Sequence, residues 1–82
     1  MRFVDEPTAV EARFDDDGDV HPRRFTWDQS WLDVSDVGRQ WTEEEGCHVL
    51  VMVAGRQTYE LVLRRQSLTW WVVRAPDGLA FA

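Results

Sequence analysis

The chain has 82 residues, room for one domain, with nine Arg, no Lys and fifteen acidic residues for a net charge of −6. An acidic chain is a poor partner for a phosphate backbone, and no stretch approaches the roughly 20 apolar residues that cross a bilayer as a helix. Cys47 is the only cysteine, which excludes an intrachain disulfide; a lone thiol and the lack of a signal-peptide pattern near Met1 point to a cytoplasmic protein.

Charge is uneven along the chain. Residues 1–45 hold five Arg against thirteen Asp/Glu, a net of −8, and residues 46–82 hold four Arg against Glu60 and Asp77, a net of +2. Five Trp, four Phe and one Tyr supply the apolar area that so small a domain needs. Three of the tryptophans fall in Arg24–Trp41, the stretch around which the other strands are expected to arrange themselves.

Residues 1–7 read as a short lead-in, where Pro7 disfavours a helix. Residues 8–74 read as one β-domain. Thr8–Phe14 alternates, with Val10, Ala12 and Phe14 on one face. Asp15–Asp19 contains the Asp-Gly of a hairpin, and Val20–Trp27 returns with Phe25 and Trp27 sharing a face. A turn at Asp28–Ser30 leads to Trp31–Ser35, and Gly38 marks a bulge before Trp41, weakening a helical alternative over Val34–Trp41. Cys47–Ala54 is apolar on both faces and is expected at the centre of the sheet or covered on both sides. Thr58–Arg65 and Leu68–Arg74 follow, with Leu68, Trp70 and Val72 on one face. Residues 75–82 read as a tail with a Pro-Asp-Gly turn. The fold class is all-β: an antiparallel meander of about six strands, curled into a small, partly open barrel. The core is expected to include Val10, Phe14, Phe25, Trp27, Val34, Trp41, Val49, Val51, Tyr59, Leu61, Leu63 and Trp70.

No motif for catalysis stands out. Asp15, Asp17 and Asp19 have calcium-loop spacing, but Gly18 falls two places early and Thr26 stands where a bidentate Glu belongs. Cys47 and His48 are adjacent, so in a strand they point to opposite faces, and His21 is the only other histidine. The serines lack an elbow such as GxSxG. No metal, cofactor or catalytic residue is assigned. The pattern above background is aromatic plus Arg: Trp31 and Trp71 fall opposite the main apolar sets of their strands, with Arg39, Arg64, Arg65 and Arg74 near in sequence. Such residues anchor protein partners or stack bases; alternatively, the two tryptophans close a second small core, packed on each other or on Phe81.

Phe25, Trp27, Trp31, Val34, Val37 and Trp41, with Tyr59–Leu61 and Trp70–Arg74, make residues 8–74 resemble a small bacterial domain of unknown function, the DUF6504-type family. Gln29, where a turn Gly is usual, and Leu32, where a Tyr is usual, depart from the pattern. Because domains of that kind are also appended to Y-family DNA-polymerase-like proteins, the resemblance implies an accessory module linked to DNA repair, with no catalytic residues to carry over. The expected function is a non-catalytic interaction module that binds a protein partner or itself through Trp31, Arg39, Arg64 and Trp71. A single-stranded nucleic-acid-binding barrel is the alternative, disfavoured by the net charge; no membrane partner is expected.

Overall fold

A computed structural model describes residues 1–77, which form seven antiparallel strands and no helix. They are β1 (Arg2–Thr8), β2 (Val10–Phe14), β3 (Val20–Trp27), β4 (Ser30–Glu43), β5 (Gly46–Val53), β6 (Gln57–Arg64) and β7 (Thr69–Ala75). Their order is β1-β7-β6-β5-β4-β3-β2, curled into a half-barrel. β5 is the middle strand of the seven, one of the two placements its apolar faces suggested. The expectations for residues 78–82, including the packing of Phe81, lie outside the described residues.

The count differs from six because residues 1–7 are not a lead-in. Arg2–Thr8 pairs with β7, with Pro7 opposite Trp71. Proline is tolerated there because β1 is an edge strand, whose outer N–H positions need no ladder partner. Ala9 alone separates β1 from β2, yet these two strands occupy opposite ends of the sheet order. One bent segment therefore pairs with β7 by its first half and with β3 by its second. Thr8 and Thr26 clasp the bend: Thr26 N–H donates to Thr8 Oγ1 and to the Ala9 carbonyl, both at 3.0 Å, and Ala9 N–H donates to Thr26 Oγ1 at 3.0 Å.

β4 bends in the same way. Ser30–Asp33 pairs with β3, and Val34–Glu43 pairs with β5 through register shifts at Val34/Asp36 and Val37/Gln40. The second shift contains Gly38, where the bulge was expected. The helical alternative over Val34–Trp41 is excluded, since those residues lie within a strand of 14 residues. At about 3.3 Å per residue this strand runs the length of the molecule, whose extents are 44 × 23 × 21 Å.

The core lies on the concave side, where Val20, Phe25, Val49, Val51, Tyr59, Leu61 and Val72 are buried. Phe25 and Trp27 meet Tyr59 edge to face, with centroids 5.0 and 5.5 Å apart. Burial here raises the pKa of the Tyr59 hydroxyl. Three expected positions are corrected. Trp41, expected in the core with Phe25 and Trp27, lies on the opposite face of the sheet, paired with His48 and stacked on its ring. Phe14 is 59% exposed, because β2 ends there, at the rim of the sheet. Leu68 does not continue the face of Trp70 and Val72; it closes the β6–β7 turn at φ 55°, exposed, its N–H donating to the Arg64 carbonyl at 2.8 Å.

Candidate functional site

The convex side of the sheet carries a second, smaller buried set. Ladder register places Pro7, Trp71, Val62, His48 and Trp41 in one row across β1, β7, β6, β5 and β4. Directly opposed residues in antiparallel strands project to the same face. Val62 is 0%, His48 4% and Glu60 5% exposed, although all three point away from the main core. Long side chains from neighbouring strands cover them.

Those covering side chains include three of the four residues singled out from the sequence. Arg64 lies over the Trp71 ring at 4.2 Å and reaches Asp5 on β1 with a 2.7 Å charged hydrogen bond. Trp71 Nε1 donates to Thr69 Oγ1 at 3.0 Å, which fixes the indole. Arg39 lies over Trp41 at 5.1 Å, and Trp41 stacks on His48 with ring centroids 5.1 Å apart and planes 14° from parallel. A third pair, Arg74 over the exposed Phe3 at 4.6 Å, extends the pattern to β1. Guanidinium groups stacked on aromatic faces are held by charge–quadrupole attraction and dispersion.

Trp31 is not part of this group. It lies ten residues before Trp41 on β4, about 30 Å of extended strand away. It is 45% exposed, under the Arg24 guanidinium at 4.4 Å. Arg24 in turn holds Glu11 at 2.6 Å, and that bond keeps the Glu11 carboxyl below its usual range.

The polar contacts of the row converge on His48. Its Nδ1 is 2.7 Å from Glu60 Oε2, and Arg74 Nε is 3.2 Å from the other oxygen, Oε1. A carboxylate only accepts, so Nδ1 carries a proton and donates it to Glu60. Nε2 is buried and has no hydrogen-bond partner among the described residues. It faces Glu45 Oε2 at 3.6 Å and Glu43 Oε1 at 3.9 Å. Glu43 is itself oriented, since its Oε2 accepts from Trp41 Nε1 at 2.6 Å. Arg65 clamps the turn that carries these carboxylates: its guanidinium donates to the Glu43 and Glu44 carbonyls, and its N–H to the Glu45 carbonyl. Gly46 permits the close approach, because a Cβ there would overlap the Leu63 carbonyl.

Beside this network lies an open depression of ≈ 670 Å³, with Arg39, Trp41, Glu43, Leu50, Glu60 and Arg74 on its walls. The groups before Nε2 are carboxylates rather than a hydroxyl or thiol. That set suits holding a cation or a partner's cationic group, not activating a nucleophile. Cys47, next in sequence, packs on the concave side, where burial pushes its thiol pKa up and disfavours the thiolate.

The legible signal for this cluster was Glu43-x-Glu45-x-x-His48 across a tight turn, which strand pairing folds back so that all three side chains meet. The partners Glu60 and Arg74 become visible only through register. Asp15, by contrast, turns its acids inward: Oδ1 accepts from the N–H groups of Asp17 and Asp19 at 3.1 Å, and Oδ2 meets His21 at 2.9 Å. Among the described residues no helix is long and apolar enough to cross a membrane. In comparisons with known protein families, curated proteins and solved structures, no match to this chain was found.

Proposed function

We propose that this domain is a non-catalytic interaction module that binds a protein partner, a second copy of the chain included, through the convex face of β4–β7. The observation that carries this reading is the repeated Arg-on-aromatic pairing: Arg39–Trp41, Arg64–Trp71 and Arg74–Phe3 on one face of the sheet. Trp and Arg are the side chains that dominate protein-binding hot spots, and here both are already ordered, which lowers the entropy lost on association. Trp31 with Arg24 forms a separate contact at the other end of β4. The resemblance to the DUF6504-type family supports a bacterial accessory role linked to DNA repair, and the lone thiol of Cys47 supports a cytoplasmic setting.

The test is sedimentation velocity of the purified protein together with capture of partners by an immobilised form. Arg39→Ala combined with Arg64→Ala should weaken association by about tenfold or more while the fold is kept. Undiminished association by a folded double variant contradicts the reading.

Single-stranded nucleic acid is a second reading, favoured by the same stacked pairs. The interleaved Asp5, Glu43, Glu45 and Glu60 oppose it, because a phosphate backbone meets them beside each Arg. Fluorescence titration with an oligonucleotide at low salt decides it, since phosphate contacts are strongest there.

A further inference from the structure

We infer that Glu43, Glu45 and His48 form a divalent transition-metal site of the zinc class on the convex face. This goes beyond the interaction reading and stands independently of it. The inference begins with an electrostatic mismatch. His48 is 4% exposed, and its Nδ1 donates to Glu60, so its other ring nitrogen, Nε2, is left facing two carboxylate oxygens beyond hydrogen-bond distance. With the imidazole neutral, three electron-rich atoms converge there with no donor between them, an arrangement that is favourable only around a cation.

The dimensions agree with such an ion. Donor atoms of tetrahedral zinc, bound at about 2.0–2.2 Å, stand about 3.3–3.6 Å apart. Nε2 lies 3.6 Å from Glu45 Oε2 and 3.9 Å from Glu43 Oε1, and all three donors lie within 4.8 Å of one another. Both glutamates are half-exposed, and the Glu45 side chain, which makes no hydrogen bond to another side chain among the described residues, has room to close the remaining gap. The partners behind the donors are also those a metal site uses. A ligating imidazole almost always donates its second N–H to a carboxylate or carbonyl, and here Glu60 accepts it. The Trp41 indole holds the oxygen of Glu43 that does not face His48. One nitrogen and two carboxylates favour zinc, cobalt or manganese over calcium, which prefers an all-oxygen set. Three protein donors leave a fourth position open toward solvent, where water or a side chain of a bound partner can complete the shell.

The test uses chelator-treated full-length protein titrated with zinc by calorimetry, with cobalt as a spectroscopic probe. The inference predicts saturable 1:1 binding, a tetrahedral-type cobalt absorption band, and movement of the His48 Nε2 resonance on zinc addition. Glu45→Gln and Glu43→Gln should each weaken binding at least about tenfold. Glu44→Gln, the acid between them whose carboxylate is outside the cluster, should bind as the parent does. Because His48 is buried and its replacement risks misfolding, the two exposed glutamates carry the test. Equal losses at positions 43, 44 and 45 would reveal only diffuse attraction to an acidic turn and overturn the inference. So would an Nε2 that is protonated at neutral pH and unmoved by zinc, which would identify the bound cation as a proton.

Discussion

Gln40 completes the sheet where β3 and β4 part. Its Nε2 donates to the Val20 carbonyl at 2.6 Å, and its Oε1 accepts from the Val20 N–H at 3.1 Å, so one side-chain amide stands in for a missing ladder partner. Val20 is buried, and neither group has water to fall back on. Gln40→Met, similar in size but apolar, strands a donor and an acceptor, at about 1–3 kcal/mol each. The expected outcome is a loss of about 2 kcal/mol or more, seen as a fall of about 8 °C or more in Tm.

The β3–β4 hairpin carries removable strain. Trp27 pairs with Ser30, so Asp28 and Gln29 alone form the loop, at φ 52° and 65°. Two-residue loops of this kind favour Gly at the second position, and a left-handed conformation costs a residue such as Gln about 1–2 kcal/mol. Gln29→Gly gives back part of that through its greater unfolded-state freedom. A net stabilisation of about 0.5–1 kcal/mol is predicted, measured by denaturant unfolding.

Glu60 should tolerate Gln better than Ala. Removing the carboxylate leaves the buried His48 Nδ1–H without its acceptor and frees Arg74. Glu60→Ala is expected to cost about 3 kcal/mol, and Glu60→Gln, which keeps a carbonyl acceptor, clearly less. Thermal unfolding of both variants measures the difference; equal losses contradict the assigned geometry.

Acid should loosen the β2–β3 turn. The hydrogen bond from His21, followed by the N–H groups of Asp19 and Asp17, holds the Asp15 carboxyl below its usual range. A lowered folded-state pKa means that the ionised group stabilises the fold above about pH 4, the unfolded value, and that this contribution disappears as pH falls through the lower folded value. The amide resonances of Asp17 and Asp19 should therefore titrate together with a midpoint below pH 4, and Asp15→Asn should abolish that titration.

Much of the fold was legible because strand periodicity is local. The central place of β5, the Asp-Gly hairpin and the bulge at Gly38 all follow from residues close together in the chain. The misreadings have non-local causes. Residues 1–7 read as a lead-in because Pro7 disfavours a helix, yet an edge position admits it to a strand. Leu68 continued an apolar alternation, yet the turn that closes on Arg64 claims it. The candidate site was legible in part. Arg39, Arg64 and Trp71 share the convex face, whereas Trp31 stands apart. His48 looked inert because its chain neighbour Cys47 points the other way. Its partners Glu60 and Arg74 come from β6 and β7, across a register that no local pattern announces.

The five indole N–H groups offer the most direct measurement of where this protein binds. They report from both faces: Trp27 and Trp70 pack against the core, Trp31 is exposed at the start of β4, and Trp41 and Trp71 lie in the convex row. Isotope-labelled protein would be titrated with its captured partner, or concentrated where that partner is itself. The account predicts that the Trp41 and Trp71 signals shift or broaden first while Trp27 and Trp70 stay in place. Shifts at Trp31 with Trp41 and Trp71 unmoved would contradict it, by placing the binding surface on the β3–β4 hairpin instead of the convex face.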